Sequence, residues 1–346
     1  MPLEIRRDDI REIAVDCILN PTDEELSGGG GTDYCIHQAA GPRLRAECDQ
    51  YSGLKTAEVV VTKAYDMKNC DYILHTVGPI YYKSNASADE DLRRTYENAL
   101  NKAKELGLSS IAMPLVSTGT FGFPKKKALN IATKVISDFL YDNEMDVYLL
   151  VYDKEAFEIS KTLYRNIDDY LSNYGFSLDD DYSEINEFYS ERVEKPRFEM
   201  PSFGRKNAIL PNAINDADYC LEDIEPFIDD YVEDESFNEC LRRMIIEKDL
   251  LEKDVYKNAN LSKQAFNKIY NNNVIPKKSN VLALAIGLKL NENEAIDFIE
   301  KAGYSFGHNK RDYIVRYFLK NRSYKIYEIN RLLFEYDLEM LGSRME

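Results

Sequence analysis

Five short apolar runs in the first half of this 346-residue chain, at 15–20, 57–65, 71–77, 109–117 and 147–153, leave few folds open. Segments of helical periodicity accompany them from about 31 and at 89–106, 124–141 and 154–173. Runs that are apolar on both faces belong to strands covered on both sides. The pattern therefore predicts an α/β domain of three-layer α/β/α build.

The rest of the chain follows other rules. Residues 176–236 hold 18 Asp+Glu against 5 Lys+Arg and carry Pro196, Pro201, Pro211 and Pro226, which reads as an acidic linker or a clasp over a neighbour. From Phe237 onward the period is helical, with polar breaks at 258–260, 271–276 and 303–309. The expected organisation is an α/β domain at 1–175, the linker at 176–236 and an all-α domain at 237–346.

The formal charge of -17 disfavours a protein that coats nucleic acid along its whole length. Acidity is concentrated in the linker, however, and residues 237–322 carry 16 Lys+Arg against 10 Asp+Glu. Cys17, Cys35, Cys48, Cys70, Cys220 and Cys240 show no CxxC spacing and read as reduced thiols. With three histidines besides, no metal site and no cofactor are expected. No run approaches the ~20 apolar residues that span a bilayer, and no signal-like segment opens the sequence. A cytoplasmic protein without membrane contact is the expectation.

Between Asn20 and Gly41 the chain reads NPTDEELSGGGGTDYCIHQAAG, joining a strand to a helix. Gly28, Gly29, Gly30 and Gly31 can turn backbone N–H groups toward an anion, and the helix that follows adds the positive end of its dipole. A second loop, STGTFGF, covers Ser117, Thr118, Gly119, Thr120, Phe121, Gly122 and Phe123. Where loops of this kind leave the carboxyl ends of strands, two of them can grip a diphosphate from both sides. Asp9 stands at the far end of such a groove, able to accept a hydrogen bond from an amino group or simply to cap the turn IREI.

DIREIAVDCILN (9–20), GGGGTDYCIHQAAGP (28–42), ILHTVGP (73–79) and STGTFGFP (117–124) together resemble the macrodomain family. The likeness covers roughly 3–172, implies a mixed central sheet, and points to the branch that removes mono-ADP-ribose from proteins or deacetylates O-acetyl-ADP-ribose. The resemblance implies that Asp9 meets the adenine amino group, with Ile10 beside the ring and Tyr152 flanking it. It further implies the diphosphate between Gly28–Gly31 and Ser117–Gly122, Asn20 near the distal ribose, Phe123 packed on that ribose, and Asp33 activating the attacking water.

Asp23 departs from that pattern. Hydrolytic relatives carry Asn there, whereas a carboxylate only accepts hydrogen bonds. A second carboxylate near Asp33 and a diphosphate is expected to push at least one acid's pKa upward. Asp33 and Asp23 are thus the catalytic candidates, with first-turn dipole stabilisation the plainer role for Asp33. His37 and His75 read as structural, and Lys125, Lys126 and Lys127 as a solvated helix start.

LSKQAFNKIYNNNVIPKKSNVLALAIGLKL (261–290) is similar in spacing to phage-repressor helix-turn-helix domains. That likeness implies Ser262, Lys263, Gln264 and Asn267 facing bases, with Lys268, Lys277 and Lys278 on phosphates. A protein partner for 237–346 stands as the alternative to DNA. Three functions stay open: an ADP-ribosyl hydrolase acting on ADP-ribosylated protein, a reader that binds ADP-ribose without turnover, and a ligand-responsive DNA-binding regulator.

Overall fold

A computed structural model describes residues 3–51, 53–82, 87–151, 161–178, 235–271 and 274–342. Six strands, β1 (Leu3–Arg6), β2 (Cys17–Thr22), β3 (Val59–Lys63), β4 (Tyr72–Val77), β5 (Ser110–Pro114) and β6 (Asp146–Leu150), form one sheet ordered β1-β6-β5-β2-β4-β3. All neighbours run parallel except β3 and β4. The eight residues between β3 and β4 are too few for a crossover, so that pair is antiparallel and the sheet mixed, as expected.

Helices α1 (Gly31–Ala40) and α2 (Pro42–Cys48) cover one face, α3 (Ala88–Glu105) and α4 (Lys125–Asp142) the other. The strand period of two sorts side chains between the layers. Ile18 and Ile73 are buried with Ile36 and Leu44 of the first layer, whereas Leu19 and Leu74 are buried with Leu92, Tyr96 and Ile136 of the second. The short α2 has no counterpart among the periodic segments of the sequence; Pro42 at its first turn supplies a preset φ and gives up an N–H that needs no partner there.

Beyond α5 (Lys161–Ser172) the described chain is helical: α6 (Phe237–Glu247), α7 (Glu252–Asn258), α8 (Lys263–Asn271), α9 (Lys278–Gly287), α10 (Glu292–Lys301), α11 (Lys310–Lys320) and α12 (Ile326–Glu335). α9 is the central member, buried at every residue from Ser279 to Gly287. Ile167 and Leu171 of α5 join this all-α core rather than either layer of the sheet. Among the described residues no helix is long and apolar enough to cross a membrane.

The helical part is fastened to the edge of the sheet. Asn260, after α7, accepts from the Leu3 N–H at 3.0 Å through Oδ1 and donates through Nδ2 to the carbonyls of Leu3 and Gly342, both at 3.2 Å. Its amide gives the exposed edge of β1 the partners that another strand would give. Tyr327, Phe334 and Met340 pack against the core that α4 covers, and the ammonium of Lys257 reaches Glu144 and the carbonyl of Asn143.

Candidate functional site

Four parallel strands, β2, β4, β5 and β6, end on one side of the sheet, and a groove of about 570 Å³ opens there. Thr22, Gly78, Pro114 and Leu150 line it from the strand ends, Gly29 to Asp33 from one loop and Ser117 to Phe121 from the other. Both glycine-bearing loops therefore meet in one groove. α1 starts in its wall with Gly30 as N-cap and no side-chain cap, leaving first-turn N–H groups for whatever occupies the groove.

Close approach explains two glycines. A Cβ on Gly28, whose φ is 71°, would lie 2.9 Å from the His37 ring. On Gly78 it would lie 2.2 Å from Ser117 Oγ and 2.5 Å from Val116 Cγ1. Ser117 itself sits at φ 67°, a left-handed conformation costly for a serine. The loop is pinned around it by Phe123 N–H to the Ser117 carbonyl at 2.9 Å and Tyr81 N–H to the Phe121 carbonyl at 3.0 Å.

Asp33 lies at the floor of the groove, 5% exposed. Asn20 Nδ2 donates to its Oδ1 at 2.6 Å and Thr22 Oγ1 donates to its Oδ2 at 2.9 Å. Residues 20 and 22 alternate onto the same face of β2, so one strand supplies both donors. Each carboxylate oxygen keeps further acceptor capacity. Asn20 Nδ2 also lies 3.0 Å from His75 Nδ1, and His75 Nε2 lies 2.8 Å from Thr62 Oγ1. Burial pushes the His75 pKa down to about 3, with the charge on His37 a smaller cause. A neutral ring accepting at Nδ1 and donating at Nε2 satisfies both contacts.

His37, one helical turn after Asp33, brings Nε2 to 3.4 Å from Asp33 Oδ1. Burial lowers its pKa more than the neighbouring carboxylate raises it. Thr22 and Gly78 were not singled out by sequence spacing. The signal for Thr22 is its position two residues after Asn20 on one strand; for His37 it is the i,i+4 relation to Asp33.

Asp23 differs from expectation. Burial alone would raise its pKa, but hydrogen bonds from the Ser27 hydroxyl, the Ser27 N–H and the Glu25 N–H, together with the charge of Arg45, outweigh that and hold it below the ordinary value. The bonds from Ser27 N and Glu25 N measure 2.9 and 3.0 Å. Asp23 thus closes the turn 23–27 beneath the glycine run, and the upward pull expected from two facing carboxylates gives way to local donors.

Asp23 is itself part of the groove lining, but several further expected residues lie away from it. Asp9 accepts from Arg11 N–H and Arg11 Nε at 2.9 Å, and the guanidinium lowers its pKa against a smaller effect of burial. That is the turn-capping role. Ile10 is buried with the α1 layer, Asn20 is buried beneath Asp33, and Gly28 and Gly122 are not among the lining residues. Phe123, expected against a ribose, is instead buried with its ring centroid 4.9 Å from that of Tyr81, while Phe121 faces the groove. Tyr152 and most of the acidic linker lie outside the described residues.

No ligand spacing for a metal stands in the sequence, yet the fold brings ligand atoms of His37, Cys48 and His75 within 4.8 Å of one another. Both ring nitrogens of His75 are already engaged by Asn20 and Thr62, which leaves an incomplete donor set. In the helical part, Lys263, Gln264, Asn267 and Lys268 are exposed on α8. Ser262 is not: its Oγ accepts from the Ala265 N–H at 3.0 Å and starts the helix. Lys278 is paired with the buried carboxylate of Asp312 and does not stand ready for a phosphate.

Against known proteins, the family model described as "Macro domain" matches residues 19–132. A macro domain-containing protein of Methanosarcina mazei is 39% identical over 156 residues, 44% of this chain and 83% of that protein. The O-acetyl-ADP-ribose deacetylase of Escherichia fergusonii is 37% identical over 159 residues, 44% of this chain and 89% of the relative. The ADP-ribose glycohydrolase MACROD2 of Mus musculus is 41% identical over 151 residues, 43% of this chain but 32% of the mouse protein, so the matched part spans about a third of that relative. Among solved structures, the Oceanobacillus iheyensis macrodomain with ADP is 34% identical, with a TM-score of 0.43 over 49% of this chain and 92% of that one. The family model stops well short of residues 237–346.

Proposed function

Because this chain belongs to the macrodomain family, we propose that its groove binds ADP-ribose and that Asp33 serves hydrolysis at the distal ribose. The products would be a protein freed of mono-ADP-ribose, or acetate from O-acetyl-ADP-ribose. One observation carries the reading: a buried, oriented carboxylate stands at the floor of a groove whose walls are an uncapped helix start and a second loop of backbone donors. Both relatives named for hydrolysis of such compounds support it.

In this reading the diphosphate lies between Gly29–Gly31 and Ser117–Thr120, where fixed N–H groups meet its charge. The adenine extends toward Asp9 and Ile10, and the distal ribose lies over Asp33. A water held by Asp33 attacks the carbon of the scissile bond. Its proton passes to the carboxylate, the bond to the leaving oxygen breaks, and that oxygen departs with the electron pair. Asn20 and Thr22 keep the carboxylate aimed, and Asp23 holds the turn that carries the glycine run.

Incubation with a protein mono-ADP-ribosylated on acidic side chains tests this. The wild type releases the label, and Asp33→Asn binds ADP-ribose but loses release. Binding without release by the wild type would leave the reader function, which the commitment of Asp23 to its own turn favours. For the helical part we propose a partner-binding face on α8 formed by Lys263, Gln264, Asn267 and Lys268. DNA and protein are both open as partners; retention on DNA that falls steeply with salt selects the first.

A further inference from the structure

A second cleft, of about 770 Å³, lies between α4 and the helical part, away from the groove at the strand ends. On the α4 side it is lined at Asn130, Lys134 and Ser137 among others, a polar stripe at helical spacing. On the other side stand Tyr324, Lys325 and Arg331, around the start of α12.

Arg331 is the unusual member. Its Nε is buried without a hydrogen-bond partner, and one terminal nitrogen donates to the neutral Asn130 side chain. The carboxylates of Glu328 and Glu335 act on its charge, which burial otherwise disfavours. A guanidinium stays charged, and a buried N–H without an acceptor is costly. α12 begins beside it with Lys325 as N-cap and no side-chain cap, adding free backbone donors and the positive end of a dipole. Lys134 adds a further cation on an exposed face of α4, partly offset by Asp138 and by Glu328, which stands in the first turn of α12 and pairs with Lys325.

We propose that this interdomain cleft binds a small organic phosphate, with the partly buried Arg331 as the anchor for the phosphate and Lys134 and the first turn of α12 beside it. The cleft is larger than a phosphate group needs, and tyrosine rings supply surface for the organic part. Since both parts of the chain build the walls, an occupant would also tighten their docking.

Calorimetric titration of the full chain with inorganic pyrophosphate, and separately with AMP, tests the proposal. Gly119→Glu places a repelling charge in the open space of the other groove, so binding that survives it belongs to the cleft. The expected result is binding kept in Gly119→Glu and weakened about thirtyfold or more in Arg331→Gln, the loss typical of removing one partner of a buried charged contact. Should Arg331→Gln fail to fold, Lys134→Glu on the exposed face of α4 is expected to weaken binding in the same direction. No binding at roughly 10 mM ligand, far weaker than any specific site, overturns the proposal. So does a loss that follows Gly119→Glu while Arg331→Gln and Lys134→Glu bind as the wild type.

Discussion

Gly78→Ala puts the tightest contact of the groove wall to the test. The added carbon would fall 2.2 Å from Ser117 Oγ and 2.5 Å from Val116 Cγ1, more than ~1 Å inside ordinary contact distance. Val116 is fully buried and Ser117 is nearly so, so the loop must move as a unit. Overpacking of this kind costs about 1–3 kcal/mol, against about 0.4–1 kcal/mol recovered from the lower entropy of an unfolded chain with Ala for Gly. Gly119→Ala is the control in the same loop. It meets nothing within 4 Å and needs no left-handed backbone, so only the gain remains. Urea unfolding should show Gly78→Ala less stable than Gly119→Ala by about 1–3 kcal/mol, and displacement of Ser117 should weaken ADP-ribose about tenfold or more. Equal unfolding midpoints and equal affinities in the two variants would refute the argument that Gly78 fixes Ser117.

The buried His75 makes a signed pH prediction. Its folded pKa, about 3, lies below the ordinary 6.5, so the unfolded chain takes the proton first as pH falls. Stability is full above pH 6.5 and is lost below it by up to about 1.4 kcal/mol per pH unit toward pH 3. His37 is lowered in the same direction. Urea midpoints between pH 6.5 and 5 should fall in the wild type and fall less in His75→Gln; equal slopes contradict the burial argument. Asn260→Ala removes the bonds to Leu3 N–H, Leu3 O and Gly342 O, at about 1 kcal/mol each. A loss near 3 kcal/mol in the docking of the helical part is expected by urea unfolding, and a loss below about 0.5 kcal/mol would sink the clamp.

What the sequence conveyed depended on period and on loop chemistry. β2, β4, β5 and β6 fall within or beside apolar runs because parallel strands are buried on both faces, whereas β3, antiparallel and at the edge, is half-buried. The meeting of Gly29–Gly31 with Ser117–Phe121 followed from two loops leaving the same ends of the sheet. Side-chain direction was not legible. Asp23 has donors two and four residues away, and with the charge of Arg45 they outweigh burial in setting its pKa. Phe123 was bound to the core by Tyr81, 42 positions earlier. Asn260 and Leu3 stand 257 residues apart, and no local pattern links an amide after α7 to the edge of a sheet. The seven-residue α2 was too short to show a period.

A crystal structure of the full chain with ADP-ribose tests the central claim most directly. The diphosphate should lie within hydrogen-bond distance, about 3 Å, of N–H groups at the start of α1 and in the loop at Ser117–Thr120, with the distal ribose over Asp33. A diphosphate bound elsewhere, or no bound ligand at millimolar ADP-ribose, would contradict the account.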